Sequence, residues 1–129
     1  MANNNSALKK KILTVDDEVD FLKILKLRLE ANGYEVITAF DGEEALEKIK
    51  SQSPDLVILD IMLPKLNGEE VCRDIRKDPV LNKIPIIMLT GKCTDVDRIV
   101  GRVIGADVYI TKPFDFKELS SAIKKVLQI

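Results

Sequence analysis

Short runs of apolar residues alternate along the chain with longer stretches in which apolar residues recur every three or four positions. The runs predict strands at Ile12 to Val15, Leu56 to Leu59, Ile86 to Leu89 and Val108 to Ile110, with a more mixed strand at Tyr34 to Ala39. A uniformly apolar strand such as Leu56 to Leu59 is typical of the centre of a parallel sheet, whereas the mixed pattern favours an edge.

The stretches between and after these strands predict five helices, because their apolar residues fall on one face. The first helix spans about Glu18 to Ala31 and ends at Asn32-Gly33. The apolar faces are formed, in chain order, by Val19, Leu22, Leu25 and Leu29; by Ala45, Leu46 and Ile49; by Val71, Cys72 and Ile75; by Val96, Ile99, Val100, Val103 and Ile104; and by Phe116, Leu119, Ile123 and Val126. Five strand–helix units in succession predict an α/β fold: a doubly wound, five-stranded parallel sheet with helices on both faces.

Length and composition exclude several functions. A chain of 129 residues is the size of one domain, which we place at 10–129, after a tail at 1–9 whose three consecutive asparagines predict disorder. The net charge of −1 gives no long-range attraction to nucleic acid or to an anionic membrane, and no apolar stretch has the roughly 18 residues needed to span a bilayer. Two cysteines without a CxxC spacing are typical of reduced thiols, so we expect a cytoplasmic protein.

Histidine is absent from the chain. Its absence excludes a Ser-His-Asp triad, a histidine-ligated zinc ion and a phosphohistidine within this chain. Any chemistry must therefore use carboxylates.

Polar residues follow four of the predicted strands. Asp16-Asp17 follow the first, Asp60 the third, Thr90 the fourth and Lys112-Pro113 the fifth. Because open α/β sheets place their ligand sites at the carboxyl ends of the strands, we expect these side chains to meet in one crevice. The expected site contains three acids, one hydroxyl and one ammonium group.

Such a site suits a phosphoryl group. Two carboxylates about 4 Å apart repel by roughly 4 kcal/mol at an effective dielectric constant near 20, so the cluster must hold protons or bind a cation. Mg²⁺ is the natural cation, because it pairs one or two carboxylates with a phosphate. Asp60 could then act as a nucleophile toward phosphorus, with Lys112 and Thr90 contacting phosphoryl oxygens.

Four motifs, in the right order, resemble the receiver domain of bacterial two-component response regulators. They are Asp16 to Glu18, Asp60 to Pro64, Thr90-Gly91 and Gly105 to Phe114. The likeness runs from about Lys10 to the C-terminus and implies the flavodoxin-like strand order 2-1-3-4-5. The departures are small: Val108 stands where the family often has a second acid, and Asp78 to Lys83 is a slightly longer connection.

The resemblance implies roles by position. Asp60 corresponds to the phosphoacceptor, Asp17 to a direct Mg²⁺ ligand, Asp16 to a ligand that acts mainly through water, and the backbone carbonyl of Met62 to a further ligand. The phosphoryl donor would be a phosphohistidine on a sensor histidine kinase or a phosphotransfer protein. The domain would catalyse only its own phosphorylation and dephosphorylation.

The resemblance also implies a switch. Thr90 corresponds to the switch hydroxyl, Tyr109 to the aromatic switch, Lys112 to the phosphate-pairing lysine, and Lys112–Pro113 to a cis peptide. Phosphorylation would shift the fourth helix, last strand and last helix, in a monomer or a phosphorylation-dependent dimer, and so signal to a downstream protein or output domain. The candidate output face contains Arg98, Arg102, Tyr109 and Lys117.

Other interpretations of the same residues stay open at this stage. Asp16 to Glu18 could simply cap a helix, and Lys112 could be solvated. The domain could bind partners without being phosphorylated, although no acid or lysine of the motif is missing. A haloacid dehalogenase-type phosphatase is disfavoured because Met62 stands where that family has a second Asp, and a flavin carrier is disfavoured because acids follow Val15.

Overall fold

The computed structural model describes residues 9–91 and 105–129, which contain one five-stranded parallel sheet. The strands are β1 (Lys11–Val15), β2 (Glu35–Ala39), β3 (Leu56–Leu59), β4 (Ile86–Thr90) and β5 (Val108–Thr111). They lie in the order β2-β1-β3-β4-β5, and every neighbouring pair is parallel. The predicted strand order is confirmed, with the mixed strand at one edge and the uniformly apolar β3 in the centre.

Four helices are described: α1 (Val19–Ala31), α2 (Gly42–Gln52), α3 (Gly68–Lys77) and the C-terminal helix (Phe116–Leu127). The helices pack on the two faces of the sheet, and each face has its own apolar core. Leu25 and Leu29 of α1 and Leu119 and Ile123 of the C-terminal helix cover one face of the sheet. The helices α2 and α3 cover the other face through Ala45, Ile49, Val71, Cys72 and Ile75. The predicted helices on both faces are thus confirmed.

Val19 is a correction to the sequence analysis. We expected it to share the buried face of α1, but it is 47% exposed, whereas Leu22, Leu25 and Leu29 are buried. Helical periodicity assigns a residue to a face without knowing where the sheet stops. Val19 is the first residue of α1 and comes before Leu22, the first buried residue of that helix.

Part of the sequence analysis falls outside the described residues. This applies to the predicted tail, apart from Lys9, and to the predicted fourth helix with its apolar face from Val96 to Ile104. Cys93, Arg98 and Arg102 also lie outside the described residues, within 92–104. Within 9–91 and 105–129, no helix is long and apolar enough to cross a membrane.

The loop after β3 is enclosed by the first residues of two helices, and both are glycines. A side chain on Gly42 would overlap the backbone of Leu66, and one on Gly68 would overlap the carbonyl oxygen of Asp60. Asn67 starts α3 with a capping box, in which its side chain accepts from the Glu70 N–H and Glu70 accepts from the Asn67 N–H. The loop that follows Asp60 is therefore fixed at both flanks.

Arg76 ties α3 to the beginnings of β4 and β5. Its Nε and Nη2 donate to the Gly105 carbonyl at 2.9 and 2.7 Å, and its Nη1 donates to the carbonyls of Asn82 and Ile84 at 3.0 and 2.7 Å. Nη2 also pairs with Asp107 at 3.0 Å. All five guanidinium N–H groups are used, so one side chain joins three segments at the edge of the sheet opposite Asp60.

The hydroxyl of Thr14 is fully buried and, within the described part of the chain, has no hydrogen-bond partner. A buried hydroxyl without a partner costs about 1–3 kcal/mol. We therefore expect Thr14→Val, which keeps the shape and removes the hydroxyl, to raise the free energy of unfolding by about 1 kcal/mol. Urea titration followed by circular dichroism measures it. Thr14→Ser keeps the hydroxyl and loses the methyl group, so it should lower stability; a valine variant no more stable than the wild type would contradict the prediction.

Candidate functional site

The ammonium group of Lys112 lies between two acidic side chains at the carboxyl edge of the sheet. Lys112 Nζ is 2.6 Å from Asp16 Oδ2 and 3.2 Å from Asp60 Oδ2. It is also 3.5 Å from Oε1 of the more exposed Glu18. Asp16 and Asp60 are only 2% and 7% exposed. The sequence separates these residues by tens of positions, and the parallel sheet brings them into one ion-pair cluster.

The backbone ladder of the sheet sets the positions of these side chains. The N–H of Asp16 donates to the Ala39 carbonyl, that of Asp60 to the Val15 carbonyl and that of Lys112 to the Thr90 carbonyl, at 3.2, 3.3 and 2.8 Å. Each functional residue thus continues the hydrogen bonding of its strand by one step. The side chains leave from ordered backbone, which limits their freedom.

Backbone donors also orient the two carboxylates. Asp16 Oδ1 accepts from the N–H of Glu18 at 2.9 Å, and Asp60 Oδ1 accepts from the N–H of Met62 at 3.0 Å. In both residues the other oxygen, Oδ2, faces Lys112. Asp16 therefore stabilises the start of α1 from outside the helix, while the N-cap residue Glu18 makes no side-chain cap hydrogen bond. Helix capping alone does not account for this acidic run.

Burial and charge act against each other in this cluster. Burial raises the pKa of Asp16 above its usual value, although the hydrogen bonds from Lys112 and from the Glu18 N–H act in the opposite direction. Burial by itself lowers the pKa of Lys112, but the hydrogen bond and the charge of Asp16, with those of Asp60, outweigh it and raise the pKa. The lysine is therefore a cation at neutral pH, and the solvated alternative for it is wrong: its side chain is 17% exposed.

Two aromatic residues to which the sequence analysis assigned no role border the cluster. The ammonium of Lys112 lies 4.2 Å from the centre of the Phe21 ring. Phe114 contacts Phe21 edge-on, with ring centres 6.3 Å apart and an interplanar angle of 84°. The signal was weak: Phe21 falls off the predicted apolar face of α1, four residues after Asp17, where an aromatic side chain had no assigned neighbour.

The other predicted site residues occupy distinct positions. Thr90 is the last residue of β4 and is fully buried, and Tyr109 is half-buried in β5, packed against the apolar core beneath α2 and α3. The Lys112–Pro113 peptide bond is cis, in agreement with the conformation that the resemblance implies. Asp17 is exposed, and Met62 is 64% exposed.

The cluster fits a divalent cation in part. Asp16 and Asp60 offer hard oxygen ligands of the kind that Mg²⁺ prefers. Within residues 9–91 and 105–129, however, no three acidic, histidine or cysteine side chains are grouped closely enough to hold a metal ion. Of the three predicted carboxylates, those of Asp16 and Asp60 contact the Lys112 ammonium, and the side chain of Asp17 is exposed.

The strand order and the acid–lysine cluster define a flavodoxin-like α/β domain with an acidic site at its carboxyl edge. Residues 12–124 match the family model described as the response regulator receiver domain. The chain therefore belongs to the response regulator receiver family and is a part of two-component signalling.

Relatives and a solved structure agree with this assignment. The alkaline phosphatase synthesis transcriptional regulatory protein PhoP of Bacillus subtilis is 48% identical over 121 residues, covering 94% of this chain and 50% of that protein. A protein of Guillardia theta named as transcriptional regulator ycf27 is 53% identical over 120 residues, covering 93% of this chain and 46% of that protein. The chain thus spans about half the length of these curated relatives.

The structural match extends over nearly the whole chain. The CheY-like response regulator receiver domain protein of Methanospirillum hungatei is 35% identical, with a TM-score of 0.86 over 93% of this chain and 94% of that chain. The two chains therefore share the fold over nearly their whole length.

Proposed function

We propose that Asp60 is the phosphoacceptor of this receiver domain and takes a phosphoryl group from a phosphohistidine of a sensor histidine kinase or a phosphotransfer protein. The observation that carries the proposal is the contact between Lys112 Nζ and Asp60 Oδ2 at 3.2 Å, beside the buried Asp16. A carboxylate at the end of a central strand, paired with a fixed ammonium, suits the transfer of a phosphoryl group with negatively charged oxygens.

In the reaction, a carboxylate oxygen of Asp60 forms a bond to phosphorus as the bond from phosphorus to the donor's imidazole nitrogen breaks. The electron pair of the broken bond returns to the imidazole, which leaves as the free base or takes a proton from solvent. Later, water attacks the phosphorus of the aspartyl phosphate and releases inorganic phosphate, which regenerates the carboxylate. The domain thus catalyses only its own phosphorylation and dephosphorylation and turns over no other substrate.

The residues of this chain hold and neutralise the phosphoryl group. Lys112, which pairs with Asp60 in the unphosphorylated protein, would pair with a phosphoryl oxygen, and the Thr90 hydroxyl would hydrogen-bond another. Asp16, Asp17, Asp60 and the backbone carbonyl of Met62 are the proposed ligands of Mg²⁺, which when bound supplies positive charge to the phosphoryl oxygens.

Signalling would follow from the contacts that Lys112 and Thr90 make with the phosphoryl oxygens. Drawing Thr90 toward the phosphoryl group would bias the candidate output face, defined above by Arg98, Arg102, Tyr109 and Lys117, toward a second arrangement. Moving such an equilibrium from 1:99 to 99:1 takes about 5.5 kcal/mol, which a few charge-assisted hydrogen bonds can supply. We propose that this face contacts a downstream protein or an output domain, in a monomer or a phosphorylation-dependent dimer, and that the domain works in the cytoplasm without binding nucleic acid directly.

Asp60→Asn tests the proposal. The wild type, incubated with acetyl phosphate and Mg²⁺, should gain the mass of one phosphoryl group, because Asp60 displaces acetate from phosphorus. The variant should gain none. Intact-protein mass spectrometry makes the measurement.

Asp55→Asn is the matched control, because Asp55 precedes the same strand that Asp60 follows and accepts a hydrogen bond from the Lys11 N–H at the opposite edge. It should be phosphorylated like the wild type. An unmodified wild type, or an equal gain in Asp60→Asn, would reject the phosphoacceptor assignment. An unmodified wild type would favour the alternative of a receiver that binds partners without phosphorylation.

A further inference from the structure

Carboxylates and an aromatic ring surround the ammonium group of Lys112. On one side it faces the carboxylates of Asp16 and Asp60, and on the other its ammonium lies over the ring of Phe21 at 4.2 Å. This distance is within the range of about 6 Å for a cation–π interaction. The ring therefore covers part of the ammonium, whose side chain is 17% exposed.

The Phe21 ring is itself held in place. Phe114 packs against it edge-on at 6.3 Å, and both rings line a groove of about 490 Å³ between α1 and the C-terminal helix. Phe114 is two residues after Lys112 in the chain, whereas Phe21 belongs to the first turn of α1. The aromatic pair thus connects the segment that carries the lysine to the helix that follows the acids.

The ammonium also has a competing partner. Glu18 Oε1 lies 3.5 Å away, and its side chain is 68% exposed. An ammonium that moved toward Glu18 would gain water and lose its contact with Asp60, the weaker of its two buried contacts at 3.2 Å. Hydration favours that move, because charged groups lose solvation on burial. The ion pair with Asp16 at 2.6 Å opposes the move, and the Phe21 ring, at 4.2 Å, is a second group in position to oppose it.

We propose that Phe21 is a positioning residue for Lys112: its ring covers the ammonium and keeps it against Asp16 and Asp60 rather than near Glu18 and solvent. The inference deepens the proposed function, since a lysine held at Asp60 is ready to pair with the incoming phosphoryl group. Phe21 holds Lys112 in this position in the unphosphorylated protein.

The test uses the exchange of the Lys112 ammonium protons with water, measured by nuclear magnetic resonance on ¹⁵N-labelled, metal-free protein, with the signal assigned through Lys112→Arg. In Phe21→Leu, exchange should become about fivefold to tenfold faster, because a cation–π contact of this kind is lost. Phe21→Tyr keeps an aromatic face and should exchange within about twofold of the wild type.

The chain offers a matched control in the same groove. Phe116 lies 4.3 Å from the guanidinium of Arg28, a cation outside the site. Phe116→Leu should leave exchange at Lys112 unchanged. Unchanged exchange in Phe21→Leu, or an equal acceleration in Phe116→Leu, overturns the proposal. If Phe21→Leu does not fold, Phe21→Met takes its place with the same expectations.

A second readout separates this proposal from the phosphoacceptor assignment. The initial rate of phosphorylation by acetyl phosphate should fall about fivefold in Phe21→Leu and recover in Phe21→Tyr. If the wild type gains no phosphoryl group, the assignment of Asp60 fails while proton exchange still decides the role of Phe21. If phosphorylation occurs and exchange does not respond to Phe21, only the positioning role fails.

Discussion

Gly68→Ala should lower the free energy of unfolding by about 3 kcal/mol, although alanine is the better helix former. A methyl group at this position would overlap the carbonyl oxygen of Asp60 and come within 2.7 Å of Leu59 Cδ1. Overpacking of this kind usually costs about 1–3 kcal/mol. We expect a cost at the upper end of this range, because the Asp60 carbonyl belongs to backbone that continues a central strand. It cannot move aside as a flexible side chain would. The gain in helix propensity, at most about 1 kcal/mol, does not offset it.

Urea unfolding followed by circular dichroism measures this loss. Gly91→Ala is the control, because a methyl group there would meet no atom of residues 9–91 and 105–129 within 4 Å. The control should change stability by less than about 0.5 kcal/mol. Equal midpoints for Gly68→Ala and the wild type would mean that the loop after β3 can move away from α3.

Lys112→Met should destabilise the protein by about 3 kcal/mol at neutral pH, because it leaves two buried carboxylates without their cation. Asp16 and Asp60 then lose the ammonium group that contacts both of them. The loss should be specific to this lysine. Lys23→Met, on the exposed side of α1, should change the free energy of unfolding by no more than about 0.5 kcal/mol.

The effect of Lys112→Met should depend on pH in a defined direction. Burial raises the pKa of Asp16 above 3.8 even with the lysine present, and the variant loses the contacts that act against this rise. A folded-state pKa above the unfolded value means that the folded protein binds the proton more tightly, so stability is recovered as the pH falls through the folded pKa. The recovery is complete below about 3.8, the unfolded value. Urea unfolding in the presence of a chelator, from pH 8 downward, measures it; a variant whose deficit grows on acidification would contradict the assignment.

The sequence predicted the sheet well because its strands carry local signals. The run Leu56 to Leu59 needs no knowledge of its neighbours to be recognised as a covered strand, and it pairs with β1 and β4 in the centre of the sheet. The helix faces were predicted for the same reason. Val19 shows the limit of local signals, because whether a residue at the end of an apolar face is covered depends on where the strands beneath it stop.

The sequence predicted the charged residues of the site but not the side chains that surround them. Asp16, Asp60 and Lys112 follow strands, so a parallel sheet must bring them together. The position of Phe21 over the ammonium depends on how α1 is set on the sheet, which no local pattern encodes. The sequence also does not distinguish the two adjacent acids, of which Asp16 is buried and Asp17 is exposed.

Contacts to backbone atoms could not be predicted from the sequence. In the sequence Arg76 is one of several basic residues of α3, and four of its hydrogen bonds go to carbonyl groups, which every residue possesses. Gly68 could be read as a turn former, but its close approach to the carbonyl of Asp60 appears only when β3 and α3 are placed together.

The guanidinium of Arg76 limits how the two last strands can rearrange. It holds the residues just before β4 and β5 to the same helix, through Ile84 and Gly105. Sliding either strand lengthwise against its neighbour would break several of these hydrogen bonds at once. Tilting a strand about its beginning breaks fewer of these hydrogen bonds when Thr90 or Lys112 is displaced. The far ends of the strands can then change direction while the pairing register of β4 with β5 stays the same.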